Sequence, residues 1–114
     1  MNVVLQKIKK QFSDEYSIAK VYFSLLSDVN SLSLTTREIE LMAFTATKGT
    51  ISYAVMREEF VKQCNTSLAT INNIISKLKR NGLLVKDNGK VRVHPAFNID
   101  FKKDVVLNIS LIHG

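Results

Sequence analysis

The side chains able to do chemistry gather in residues 67–92 of this 114-residue chain. Thr70, Asn72 and Asn73 are short and polar, and Lys77, Lys79 and Arg80 follow within one turn or two. Asparagine offers one donor and one acceptor together, which matches the N6/N7 edge of adenine. Threonine can bond a phosphate oxygen or touch a thymine methyl, and Lys77, Lys79 and Arg80 can reach phosphates on the groove walls. Lys86, Lys90 and Arg92 come next, on either side of an Asn88-Gly89 pair. Ser67 precedes the whole set, where a helix start would add free N–H donors for one phosphate. This is chemistry of hydrogen bonds and charge, with no bond made or broken.

Those groups need elements to hold them. Leu68, Ile71, Ile74, Ile75 and Leu78 recur at helical spacing, which predicts an amphipathic helix over 68–80 that Asn81-Gly82 stops. At about 100° per residue, Asn73 lies roughly 200° from Ile71 and points outward, with Lys77 four residues on along the same side. Leu83–Lys86 and Lys90–Val93 predict two strands joined by a type I′ turn at Asn88-Gly89, ended by Pro95. Alternation puts Lys90 and Arg92 on one strand face and Val91 and Val93 on the other.

Upstream, Ser52 is expected to cap a helix over 53–64, with Met56, Phe60, Val61 and Cys64 inward and Arg57, Glu58 and Lys62 outward. Asn65-Thr66-Ser67 makes the turn between the two helices. Thr50 and Ile51 suit a very short strand. Thr35 and Glu38 have the spacing of a capping box, opening an almost wholly apolar helix over 36–47 that Gly49 closes. Ile18, Val21, Tyr22, Leu25, Leu26 and Val29 predict a helix over 17–29. Residues 2–12 fit neither helix nor strand cleanly. Val105, Leu107, Ile109 and Leu111 alternate with other residues and predict a C-terminal strand, a candidate partner for segment 2–8.

Helix, short strand, helix, three-residue turn, helix and hairpin follow one another from residue 35. The stretch Ser67–Gly89, with its Thr/Asn-rich helix start, Lys/Arg-rich end, Asn81-Gly82-Leu83 stop and basic hairpin, resembles winged helix-turn-helix proteins. It looks most like MarR-type regulators and the winged-helix modules of phage and plasmid proteins. The likeness covers about 60 residues. It implies a recognition helix in the DNA major groove and a hairpin wing beside it. The long dimerisation helices of MarR regulators have no counterpart at either end, so that family's mode of oligomerisation does not carry over.

Charge agrees with this placement. Lys77, Lys79, Arg80, Lys86, Lys90 and Arg92 oppose Asp87 alone, so residues 65–94 carry +5 of the net +6. The length suits one domain, read as an N-terminal extension (1–34), a winged helix-turn-helix (35–94) and a C-terminal strand (95–114). The apolar share of 46% is that of a globular chain. No run approaches a membrane span or a secretory signal, and the lone Cys64 excludes an internal disulfide. A cytoplasmic setting follows as the expectation.

Catalysis is not expected. His94 and His113 lie near chain ends without an acidic partner in a known pattern, and Glu58-Glu59 reads as a surface pair. No phosphate-cradling glycine loop, metal-ligand spacing or cofactor motif is present. The expected fold is α+β and mainly helical, a winged helix-turn-helix with added terminal strands. The expected function is double-stranded DNA binding, sequence-specific or general, in transcription regulation or replication. The alternative is a winged-helix docking module or a subunit of a larger assembly, such as a phage particle. Its terminal strand edges would pair with a second copy or another protein.

Overall fold

A computed structural model describes residues 2–114. Four helices and a two-stranded antiparallel sheet make an α+β fold, mainly helical.

Helix α1 spans Glu15–Val29 and begins two residues earlier than hydrophobic spacing indicates, because Asp14 caps it. The Ser17 N–H donates to Asp14 Oδ1 at 2.7 Å. Its buried line is Ala19, Phe23 and Ser27, while Val21 and Val29 are exposed. The expected apolar face is therefore rotated. Ser27 can sit inside because its hydroxyl accepts the Leu34 N–H at 3.0 Å, from the loop leading into the next helix.

Helix α2 spans Thr36–Lys48 and forms the centre of the core, with Leu41, Met42, Ala43, Phe44 and Thr45 all buried. The capping box is present in both directions. The Glu38 N–H donates to Thr35 Oγ1 at 3.2 Å, and the Thr35 N–H donates to Glu38 Oε1 at 2.8 Å. Gly49 takes φ +90° and ends the helix in the left-handed cap that a side chain would strain.

Helix α3 spans Ala54–Cys64, but Ser52 does not cap it. The N-cap position falls on Tyr53, which makes no side-chain cap bond. Ser52 Oγ instead accepts the Val91 N–H at 2.6 Å, satisfying a strand amide that has no partner strand on that side. Thr50 and Ile51 do not form a strand either. They make one rung of contact: the Ile51 N–H and the Thr50 hydroxyl both donate to the Val91 carbonyl, at 3.1 and 2.8 Å. Asn65, at φ +49°, turns the chain out of α3.

Helix α4 spans Leu68–Arg80 and buries Ile71, Ile75 and Leu78. Leu68, expected on the apolar face, is exposed with the rest of the first turn, residues 67–70. Strands β1 (Leu84–Asp87) and β2 (Lys90–Val93) pair in the register Leu84↔Val93, Val85↔Arg92, Lys86↔Val91 and Asp87↔Lys90. Asn88 and Gly89 both have positive φ, 50° and 77°, as a type I′ turn requires.

After β2 a single 3₁₀ turn, Pro95–Phe97, leads to Phe101, which is buried against Tyr22 and Phe23 of α1. The expected terminal strands do not form: residues 2–12 and 104–114 have no regular structure and no pairing. Alternation supplies a two-faced segment but not the neighbouring strand that a ladder needs. Val4 is 91% exposed and Val106 92%.

Candidate nucleic-acid interface

The outer face of α4 carries Ala69, Asn72, Asn73, Ser76 and Arg80, all exposed. They recur at three- and four-residue steps opposite Ile71, Ile75 and Leu78, so the core contacts of one face aim the other at solvent. Among the described residues, the amide of Asn73 has no hydrogen-bond partner. Ser76, one turn further, was not among the residues singled out by sequence. Its position three residues after Asn73 was a legible sign.

Asn72 is differently placed. Its Oδ1 accepts from Arg57 Nη1 at 2.9 Å, and Arg57 Nε donates to the Ile51 carbonyl at 2.9 Å. An α3 side chain thus reaches across to α4. Nothing local in sequence links residues so far apart.

At the start of α4, Ser67 Oγ accepts the Thr70 N–H at 3.2 Å and its hydroxyl donates to Thr70 Oγ1 at 2.9 Å. Both side chains serve the cap first. Each remains exposed, so their outer lone pairs face water.

Lys77 departs most from expectation. Its ammonium lies 2.7 Å from Glu38 Oε2, and the Glu38 side chain is only 5% exposed. The same carboxylate closes the α2 capping box through Oε1. Burial works to raise the Glu38 carboxyl, but Lys77 and the Thr35 N–H outweigh it and hold it below the usual value. Lys77 therefore fastens α4 to α2, and its ammonium, though half exposed, is engaged by Glu38.

On the hairpin, Lys90 and Arg92 do share one face, away from buried Val91 and Val93. Lys86 does not join them. It pairs across from Val91, so its side chain leaves the sheet on the opposite face, near the exposed tip. Asp87 stands directly across the ladder from Lys90. The Lys90 ammonium stands 5.5 Å over the ring of Tyr53, a half-exposed side chain at the start of α3. The buried Nε of Arg92 has no partner among the described residues. The exposed polar and basic side chains here thus include Ser67, Thr70, Asn72, Asn73, Ser76 and Arg80 at and along α4, with Arg57, Lys90 and Arg92 partly exposed on α3 and β2.

The remaining reactive groups have structural surroundings. Cys64 is buried with Sγ 3.6 Å from Glu40 Oε2. Burial pushes its thiol up, and the Glu40 charge adds to the rise. Burial likewise raises the Tyr16 hydroxyl. His94 Nδ1 accepts the Ala96 N–H at 3.0 Å and caps the 3₁₀ turn. Two open clefts of about 330 and 340 Å³ border α1 and α2, and none of the nine candidate side chains lines them. No helix among the described residues is long and apolar enough to cross a membrane.

Compared with protein-family models, curated proteins and solved structures, the chain matches none.

Proposed function

We propose that this chain binds double-stranded DNA as a winged helix-turn-helix, with α4 as recognition helix and the β1–β2 hairpin as wing, in transcription regulation or replication. The observation that carries the reading is the outer face of α4. Asn73, Ser76 and Arg80 stand exposed on a helix whose opposite side is locked in the core. A major groove admits one such helix, and short polar side chains let its backbone approach the bases. The Arg92 and Lys90 face of the hairpin extends the positive surface beyond the helix end.

Lys77 is left out of this contact set because its charge is matched by Glu38. Ser67 and Thr70 remain phosphate ligands through the start of α4, and Lys86 reaches the duplex only from the far side of the hairpin tip. A titration of random-sequence duplex DNA at several salt concentrations tests the reading. Affinity that falls steeply with salt supports it, and the absence of duplex binding at low salt overturns it.

A second reading has its own support. Val3, Val4, Leu5 and Ile8 at one end, and Val106, Leu111 and Ile112 at the other, are large apolar side chains left in water. Extended apolar segments of this kind add readily to a partner's sheet edge. A docking or assembly subunit, engaging a second copy or another protein through its ends, is the alternative if duplex DNA is not bound.

A further inference from the structure

We propose that Arg57 and Asn72 act together as a cationic, donor-rich unit that selects guanine at one base pair; this rests on the DNA-binding reading above. An unconstrained asparagine serves adenine, because it can accept from N6 and donate to N7 at once. Here Asn72 is not unconstrained. Its Oδ1 already accepts from the Arg57 guanidinium, and that guanidinium is held from behind by the Ile51 carbonyl. With one Oδ1 lone pair engaged, what the pair has left to offer is dominated by donors: the Asn72 amide NH₂ and the remaining guanidinium N–H groups. The charge on Arg57 is not cancelled, since no carboxylate pairs with it among the described residues.

Each base answers such an array differently. Guanine presents two major-groove acceptors, O6 and N7, and meets donors with acceptors throughout. Thymine offers one acceptor. Adenine and cytosine each present an amino group, which would face N–H donors and a positive charge. Arg57 is thereby a specificity determinant lying outside α4. It contacts the base directly, and its positive charge beside the half-engaged Oδ1 disfavours the adenine amino group that Asn72 would otherwise accept from.

Selection from a random duplex pool, run in parallel on the wild type and three variants, tests this. The wild type is expected to enrich guanine at one position, with about 5- to 150-fold weaker binding when that base is changed. Arg57→Ala frees Oδ1 and should move the preference at that position from guanine to adenine. Asn72→Asp keeps an acceptor for Arg57 but removes the amide donors, so the guanine preference should vanish. Asn73→Ala should alter a different position. Asn72 is exposed, so its variant stays informative even if Arg57→Ala unfolds, which circular dichroism would reveal.

A wild-type site with adenine, cytosine, thymine or no preference where Arg57→Ala or Asn72→Asp changes the outcome overturns the inference. So does a selected sequence that neither variant alters, while duplex binding itself still stands. Failure of the wild type to bind any duplex at low salt overturns the inference and the DNA-binding reading together.

Discussion

The ammonium of Lys77 and the Oε2 of Glu38 lie 2.7 Å apart, joining the last turn of α4 to the first turn of α2. Glu38 uses its other oxygen to cap the start of its own helix, so one carboxylate opens α2 and anchors α4. The orientation of α4 therefore depends on a charge pair as well as on Ile71, Ile75 and Leu78.

Lys77→Met should lower stability by about 1–3 kcal/mol, the cost of leaving a buried acceptor without its charged donor. The half-exposed Lys77 end favours the lower part of that range. Urea denaturation of wild type and variant measures it. On duplex DNA the variant should retain the wild-type salt slope, because Lys77 neutralises Glu38 and not a phosphate.

Acid should dissolve the same contact. The folded-state value of Glu38 is depressed below its ordinary 4.5, so its contribution is complete above that pH and is lost as pH falls through the lower, folded value. Stability measured from pH 7 down to 3 should drop less in Glu38→Gln than in the wild type. Equal slopes would remove Glu38 from the acid response.

Ser52→Ala should cost about 1–3 kcal/mol, although Ser52 caps no helix. It strips the acceptor from the Val91 N–H at a buried residue. Denaturation together with amide exchange at Val91 would show both the loss and its location.

Arg80→Ala and Arg92→Ala should each reduce the log–log salt slope of duplex binding by about 0.9, one phosphate apiece. A slope equal to the wild type in a folded variant would strike that residue from the interface.

Asn73→Ala should flatten preference at one or two base pairs, removing about 1–3 kcal/mol of discrimination while binding to random duplex barely changes. Loss of affinity for all sequences alike would make Asn73 a backbone contact.

Much of the frame was legible. The Thr35/Glu38 capping box, the bounds of α4, the Asn88-Gly89 turn and the shared face of Lys90 and Arg92 all follow from residues no more than four apart. What sequence did not disclose depends on contacts between distant segments. Glu38 meets Lys77, Arg57 meets Asn72 and Ser52 meets Val91 only after the chain has folded. The terminal strands failed for the opposite reason. Val105–Leu111 has the alternation of a strand, but alternation states a preference and a ladder needs a second backbone beside it.

The position of Lys86 opposite Val91 has a consequence for solubility. Val91 directs both main-chain groups away from β1, toward Ile51 and Ser52, so the outer side of β2 is closed there. By the alternation of an antiparallel ladder, Lys86 directs its own N–H and C=O away from β2, along the side where β1 has no other strand among the described residues. The hairpin thus has one sealed margin and one bare margin, and the bare one carries a lysine. A charge at that point penalises a second hairpin that tries to add in register. Lys86 serves as a guard against edge-to-edge aggregation, whatever it contributes to DNA.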